Sequence, residues 1–171
     1  MEYEEKVKDI PEDKRVYVDE SGFDSYYCRE YARSPRGERV HSFIMGRKFK
    51  RTSIVAGKIG NKIVAPFQYS GTMYGELFEY WFEEHLIAEL PEDAVIIMDN
   101  ASFHRKKRLF EIAEKHNRRL IFLPPYSPEL NPIEHFWAWL KRKVAETLTC
   151  SETLTDAISL ALQGWNCRIM T

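Results

Sequence analysis

Two short stretches that are apolar at every position constrain the fold most. They are Ala94-Val95-Ile96-Ile97-Met98 and Leu120-Ile121-Phe122-Leu123, and a basic segment of helical character, about residues 105–116, lies between them. A strand that does not alternate apolar with polar residues is one covered on both faces, as in parallel sheets. Parallel strands also need a helical crossover. The sequence therefore predicts an α/β layer.

The other segments extend this layer. A short strand, Val16-Tyr17-Val18, runs into Asp19, and two β-rich runs follow at residues 52–59 and 62–67. Gly60-Asn61 between these runs predicts a tight hairpin. Pro66 indicates that the second run ends there or forms a sheet edge. Helices are expected at about residues 73–89, 105–116, 132–147 and 153–163. We therefore predict a mixed five-stranded sheet flanked by helices, with the first three strands antiparallel and the later ones parallel.

Composition limits the compartment and the domain plan. The 171 residues fit one domain, which we place at residues 15–171, and residues 1–14 are polar enough to be a tail or linker remnant. Cys28, Cys150 and Cys167 are odd in number and scattered, as in a reducing compartment. No apolar run approaches the ~20 residues of a membrane span, so we expect a cytoplasmic protein without membrane contact.

Basic residues are concentrated locally although the net charge is only −1. Three runs carry the excess: Arg47-Lys48-Phe49-Lys50-Arg51, Arg105-Lys106-Lys107-Arg108 and Lys141-Arg142-Lys143. Any single run is commonly a solvated face. Three runs, each near a motif discussed below, favour contact with DNA phosphates.

Three acidic residues are candidates for catalysis. Asp19 and Asp99 each follow a predicted strand, and ligands bind at the carboxyl ends of strands in open α/β sheets. Glu134 lies in the first turn of a helix, at the rim of its apolar stripe. Simpler roles exist: Asp99 could open a turn, and Glu134 could complete a capping box with Asn131.

Three converging carboxylates repel one another unless a cation is present. Their oxygens suit Mg²⁺, with Mn²⁺ as a substitute. Two such ions, about 3.5–4 Å apart, stabilise the attacking and leaving oxygens of an in-line displacement at phosphorus. The residue types therefore predict two-metal phosphoryl transfer, with Asn131 as a supporting residue beside the ligands.

Three blocks of sequence resemble the acidic blocks of the Tc/mariner transposase superfamily, and most closely its bacterial insertion-sequence branch. The blocks are Val16-Tyr17-Val18-Asp19-Glu20-Ser21-Gly22, Met98-Asp99-Asn100-Ala101-Ser102-Phe103-His104 and Leu123-Pro124-Pro125-Tyr126-Ser127-Pro128-Glu129-Leu130-Asn131-Pro132-Ile133-Glu134. The 34 residues between Asp99 and Glu134 match the spacing typical of that branch. The resemblance covers about residues 15–150.

The resemblance implies a ribonuclease H-like fold with Asp19, Asp99 and Glu134 as catalytic metal ligands. It implies hydrolysis at transposon ends and attack of the freed 3′-hydroxyl on target DNA, by a homodimer acting at the bacterial nucleoid. Members of the family usually carry N-terminal helix-turn-helix modules for which this chain has no room. End recognition would then belong to a separate helix-turn-helix chain or be lost.

Contacts with DNA are expected from two regions. The resemblance makes the Tyr- and Arg-rich stretch at about residues 24–45 an excursion used in dimerisation and DNA contact, with Arg33 and Arg36 as candidates. The other candidates lie near the acidic blocks: Asn100, His104, Arg105, Lys106 and Lys141. For each of them a merely structural or solvated role is the alternative.

The sequence also allows two other functions. A ribonuclease H-like nuclease of another kind, such as a structure-specific resolvase, would keep the fold, but the proline-rich third block argues against it. A non-catalytic DNA-binding or assembly module descended from a transposase would explain the missing recognition modules. The three filled acidic positions argue against that module.

Overall fold

A computed structural model describes residues 2–23 and 50–169 of the chain. Its centre is one five-stranded sheet in the order β3-β2-β1-β4-β5. The strands are β1 (Arg15–Phe23), β2 (Thr52–Ile59), β3 (Lys62–Tyr69), β4 (Val95–Met98) and β5 (Arg119–Phe122). Strands β1 to β3 are antiparallel, and β4 and β5 run parallel to β1. The predicted mixed sheet is confirmed.

Six helices are described, and two of them form one continuous rod. The helices are α1 (Glu2–Val7), α2 (Gly75–Trp81), α3 (Ile87–Glu89), α4 (Lys106–Lys115), α5 (Ile133–Thr147) and α6 (Leu154–Ile169). A π-helical turn, Phe82–Leu86, joins α2 to α3, so the helix predicted at residues 73–89 is present as a composite. None of the described helices has the length and apolar character needed to cross a membrane.

Strand β4 is apolar at every position, so it has apolar side chains on both faces of the sheet. Helices cover both faces and bury them. Ile96 and Met98 pack into a cluster with the α2–α3 rod and α4. Val95 and Ile97 point the other way, toward α1. On that same face, nearer β2, helices α5 and α6 form a third cluster. All four β4 side chains are buried, as the unbroken apolar run predicts.

Strand β3 of the β2–β3 hairpin forms one edge of the sheet. Gly60 has a φ of 52°, which the tight turn requires and glycine adopts without strain. Pro66 lies in edge strand β3, as expected, but the strand continues past it to Tyr69. A bulge opposite Val55 to Gly57 absorbs the proline. The Nε1–H of Trp81 donates 2.8 Å to the carbonyl of Ala65 there.

The segment before β1 is not the tail that its polarity suggested. Tyr3, Val7 and Ile10 are at most 9% exposed and pack against Ile97 and Ile121. Tyr3 and Val7, four residues apart, lie on one side of α1, and Ile10 lies just beyond the end of that helix. This apolar stripe outweighs the charged residues between them, so the segment is part of the domain.

Strand β1 is longer than the expected three residues, and Asp19 lies within it. On one side β1 pairs with β2 as far as Phe23, opposite Thr52. On the other side it pairs with β4 only as far as Val18, opposite Met98. Asp19 is therefore the first residue of β1 that no longer pairs with β4, but it still pairs with β2 and lies within the strand. The Tyr- and Arg-rich excursion, with Arg33 and Arg36, falls outside the described residues.

Candidate active site

The register of β1 and β4 puts Asp19 beside Asp99. Val18 and Met98 are the last paired residues, so the next position on each strand carries an aspartate. Asp19 shares a strand face with Tyr17, because side chains alternate along β1. That face is the one covered by α5 and α6. Two carboxylates are thus fixed at the same edge by backbone pairing alone.

Helix α5 brings the third carboxylate. Its stripe of Ile133, Phe136, Trp137, Leu140 and Val144 is buried, as the apolar periodicity predicts. Glu134 lies in the first turn and is exposed beside that stripe. The N-cap is Pro132, and no side chain in the described part of the chain caps the helix. The capping-box alternative for Glu134 is therefore not the arrangement found.

Asp19, Asp99 and Glu134 line one cavity of about 410 Å³. Its wall is completed by Asn100, Asn131 and the loop that follows β5, from Leu123 to Pro128. Among the described residues, no lysine, arginine or histidine lines this cavity. The three carboxylates therefore face each other without a protein cation between them.

The electrostatics of Asp19 reflect this arrangement. Burial raises the pKa of Asp19 from 3.8 to about 7, and the negative charges of Glu134 and Asp99 act in the same direction. A hydrogen bond from the backbone of Glu20 and a 3.0 Å bond from Trp137 Nε1 lower the pKa in part. Asp19 is thus a buried carboxylate whose charge is only partly compensated.

The donor set fits a hard divalent cation. Carboxylate oxygens are the ligands that Mg²⁺ and Mn²⁺ prefer, and a cation here would offset both the burial and the repulsion that raise the pKa of Asp19. Within residues 2–23 and 50–169, no three His, Cys, Asp or Glu side chains are gathered closely enough to hold a metal ion as they stand. The carboxylates surround the cavity as an open set, and Glu134 is the exposed member.

Asp99 combines the turn role that its sequence allowed with a place in the cavity. Its Oδ1 accepts a 3.1 Å hydrogen bond from the backbone of Ala101, and its side chain is 49% exposed. His104 Nδ1 donates 3.2 Å to the Asp99 carbonyl and lies 3.5 Å from Asp99 Oδ1. Asp99 is therefore held by the turn that follows β4.

His104 does not fit the DNA contact expected of it. Its side chain is only 4% exposed, and its ring centroid lies 4.4 Å from that of Phe78. Burial lowers the pKa of His104, although the nearby Asp99 opposes this. Burial of this extent disfavours contact with a phosphate, and DNA contact by His104 stays a prediction. Its position behind Asp99 makes it a support for that turn.

The other residues expected to contact DNA have protein partners or lie on the surface. Arg105 binds Glu79 at 2.6 Å and Glu76 at 2.7 Å, so two carboxylates already balance its charge. Lys106 Nζ donates to Asn100 Oδ1, and Asn100 Nδ2 donates 2.5 Å to the carbonyl of Leu123. Lys141 is exposed on α5. DNA contact by Asn100, Arg105, Lys106 and Lys141 stays a prediction.

Asn131 lies where a support for the carboxylates was expected. It is 5% exposed and lines the cavity, and its carbonyl accepts a 3.1 Å hydrogen bond from the Glu134 backbone. Its Oδ1 is buried and has no hydrogen-bond partner among the described residues. Asn131 thus fixes the start of α5 and leaves one buried acceptor beside the site.

Glu20 and Trp137 were not among the residues expected at the site. Burial raises the pKa of Glu20 to about 7, and Tyr69 donates 3.0 Å to its Oε2. Glu20 lines a second cavity of about 560 Å³ on the opposite face of β1. Trp137 belongs to the buried apolar stripe of α5 and also reaches Asp19. Adjacent acidic residues in a strand signal one carboxylate on each face, but no sequence pattern signals the Trp137 bond.

Comparisons with known proteins agree with this geometry. The family model of the DDE superfamily endonucleases matches residues 14–155. A stretch of 78 residues is 44% identical to the uncharacterized protein y4pE/y4sA of Sinorhizobium fredii (strain NBRC 101917 / NGR234). That alignment covers 43% of this chain and 51% of the relative, so the chain spans about half the relative's length.

Solved structures show the same fold at low sequence identity. The Mos1 strand transfer complex superimposes with a TM-score of 0.62 and 16% identity over 91% of this chain and 53% of the Mos1 chain. The Mos1 mariner paired end complex with Mn superimposes with a TM-score of 0.61 and 15% identity, over 96% of this chain and 57% of that chain. The catalytic core domain of BIV integrase superimposes with a TM-score of 0.55 and 14% identity, over 88% of this chain and 81% of that chain. The chain belongs to the DDE superfamily endonuclease family and has the ribonuclease H-like fold of transposase and integrase catalytic cores.

Proposed function

We propose that this protein is the catalytic domain of a DNA transposase that uses Asp19, Asp99 and Glu134 to hold two Mg²⁺ ions, with Mn²⁺ as a substitute. One observation carries the proposal. Three carboxylates from three separate elements, β1, the β4 end and α5, line one cavity that no described cation shares. An arrangement that costs electrostatic energy in the free protein is explained if a divalent cation completes it.

Bound divalent ions would supply charge stabilisation for the attacking and leaving oxygens of an in-line displacement at phosphorus. The chain's own residues position the ligands. Trp137 holds one oxygen of Asp19 at 3.0 Å, and the Ala101 backbone holds one oxygen of Asp99 at 3.1 Å. The carboxylate oxygens of both aspartates would hold the cation. Glu134 is exposed in the first helical turn and would complete the set by a change of rotamer.

The proposed reaction has two steps. A water oxygen attacks the phosphorus at a transposon end, and the bond to the 3′ oxygen breaks to leave a 3′-hydroxyl. That hydroxyl then attacks a phosphodiester of target DNA and displaces another 3′ oxygen, so phosphodiester bonds are exchanged without an external energy source. The Mos1 complexes support DNA ends as the substrate, since one contains the left transposon end. Action as a homodimer, with end recognition by a separate helix-turn-helix chain, belongs to the same proposal.

A nicking assay tests the proposal. Supercoiled plasmid is incubated with the protein in Mg²⁺, in Mn²⁺ or in chelator, and the nicked form is quantified. We expect nicking only with metal, and loss to background in Asp19→Asn, Asp99→Asn and Glu134→Gln. Asp93→Asn and Glu146→Gln are matched controls, since both residues are exposed and pair with lysines elsewhere. A non-catalytic assembly module predicts no nicking in any of these samples.

Thermal melting provides a second readout that does not depend on activity. A ligand that binds only the native state stabilises it by about 2.7 kcal/mol at a hundred times its Kd. We expect Mg²⁺ and Mn²⁺ to raise the melting temperature of the wild type, and Asp99→Asn to lose most of the increase. Equal stabilisation of the two proteins would place the ion outside the proposed site.

A further inference from the structure

The loop between β5 and α5 exposes a tyrosine in a conformation that tyrosine rarely adopts. Tyr126 has a φ of 57°, and it is one of three residues other than glycine with positive φ in the described part of the chain. For a bulky L-residue this region is sterically unfavourable. Tyr126 is 101% exposed, the highest value among the large hydrophobic residues described. No burial within the domain offsets this conformation.

The loop holds Tyr126 rigidly. Pro124, Pro125 and Pro128 fix backbone φ on both sides of it. Before it, the Leu123 N–H donates 2.8 Å to the Met98 carbonyl. After it, the Leu130 N–H donates 3.1 Å to the Ser127 carbonyl, within the 3-10 turn Pro128–Leu130. The exposed ring is therefore presented on a fixed support.

That support stands at the rim of the catalytic cavity. Tyr126 lines the same 410 Å³ cavity as Asp19, Asp99 and Glu134. A phosphodiester that reaches these carboxylates through bound cations brings its flanking nucleobases to the cavity rim. An exposed aromatic ring binds any nucleobase by stacking, because every base has a π face. Persistent strain at such a place is a sign of function.

We propose that Tyr126 is a substrate-binding residue whose ring stacks on a nucleobase next to the scissile phosphate. The contact is tolerant of sequence and orients the strand for in-line attack. This inference rests on the proposed function, because the scissile phosphate defines which base is meant. It assigns to the third acidic block a role in DNA contact separate from metal binding.

The test compares an intact nucleotide with an abasic one. The cleaved position is mapped with Mn²⁺ on a labelled duplex, and an abasic nucleotide or 2-aminopurine is then placed on either side of it. Binding is measured with Ca²⁺ in place of Mn²⁺. For the wild type we expect the abasic duplex to bind roughly tenfold more weakly than the intact one, as loss of one stacked base implies. The 2-aminopurine fluorescence should be quenched on binding.

Tyr126→Ala should bind intact DNA roughly tenfold more weakly than wild type, show no further loss with the abasic duplex, and leave 2-aminopurine unquenched. Tyr126→Phe keeps the ring and should behave as wild type. Tyr80→Ala is the matched control, because Tyr80 is 56% exposed on α2 and outside the cavity. The Tyr126 variants should have the melting temperature of the wild type, since the ring is exposed.

Three outcomes would overturn the inference. Wild-type affinity of Tyr126→Ala for the intact duplex, with metal-dependent cleavage intact, overturns the stacking role and leaves the proposed function standing. Equal weakening of intact and abasic DNA by Tyr126→Ala shows that the ring meets the backbone or another partner. Absence of metal-dependent cleavage by the wild type overturns the proposed function and this inference together.

Discussion

The Nε1–H of Trp137 donates a 3.0 Å hydrogen bond to Oδ2 of Asp19, although 118 residues separate them. Trp137 is 2% exposed and belongs to the core of α5 and α6. Glu134 precedes it by three residues, so both lie on neighbouring positions of one helix face. The bond therefore fixes the helix that carries the third carboxylate relative to the strand that carries the first. One residue serves both packing and site geometry.

Trp137→Phe should weaken metal binding while keeping the core filled. The phenyl ring retains most of the packing but cannot donate to Asp19, and loss of a residue that orients a metal ligand typically costs about 10–100-fold in affinity. The measurement is a Mn²⁺ titration in which free Mn²⁺ is followed by electron paramagnetic resonance. Trp139→Phe is the control, because Trp139 stacks on Phe136, packs edge-on against Trp165 and does not line the cavity. Equal Mn²⁺ affinity in both variants and wild type would contradict the role given to this bond.

The metal-free protein should lose stability as pH rises from about 4 to about 7. Burial raises the folded-state pKa of Asp19 from 3.8 to about 7, so in this interval the native state holds a proton that the unfolded state has released. The contribution of Asp19 to the free energy of unfolding is greatest below about pH 4 and falls until the folded carboxyl has ionised. Glu20 acts in the same direction because burial also raises its pKa to about 7.

Asp19→Asn should flatten this dependence. At pH 7.5 without metal the variant should be more stable than the wild type, by at most about 4 kcal/mol for a change of roughly three pKa units. Urea denaturation at several pH values, with and without Mg²⁺, measures the effect. Saturating Mg²⁺ should flatten the wild-type curve as well. If the free energy of unfolding depends on pH in the same way in wild type and variant, ionisation of Asp19 does not destabilise the metal-free protein.

Lys141 should contact the DNA backbone along α5. It lies seven residues after Glu134, roughly two helical turns, and therefore on the same face, whereas Arg142 points about 100° further round. Both side chains are exposed. Lys141→Ala should weaken binding to a duplex of any sequence and lower the salt slope by about 1. Arg142→Ala should do less. Small, equal effects in titrations at several salt concentrations would place the DNA path along another face.

Ile10→Ala should destabilise the domain by about 2 kcal/mol or more, the usual cost of truncating a buried isoleucine. Ile10 is 6% exposed and packs with residues of β4 and β5. A tail would tolerate the change. Asp9→Ala is the neighbouring exposed control and should stay within about 0.5 kcal/mol. Equal urea midpoints for the two variants would mean that the first residues are not part of the folded unit.

The sequence predicted those parts of the fold that local pattern determines. Unbroken apolar runs located β4 and β5, and a helical stripe located the buried side of α5. The extent of β1 could not be predicted, because it depends on pairing with β2 far along the chain. The α1 segment was missed because its three buried residues are outnumbered by charged neighbours.

The candidate site divides in the same way. Asp19, Asp99 and Glu134 could be named from their blocks, since each follows a recognisable strand or begins a helix. The burial of His104, the ion pairs of Arg105 and the bond between Trp137 and Asp19 arise from packing between distant elements. The backbone conformation of Tyr126 is likewise set by the prolines and turn around it. No local pattern reports such relationships.

Asp19, Asp99 and Glu134 together are proposed to hold the divalent cations. A crystal structure of the protein with Mn²⁺, with anomalous diffraction to locate the metal, is the decisive measurement. We expect anomalous density between the three carboxylates, with Glu134 rotated inward, and its loss in Asp99→Asn. Mn²⁺ bound elsewhere, or an empty cavity at Mn²⁺ concentrations that support nicking, would show that these carboxylates are not the metal site.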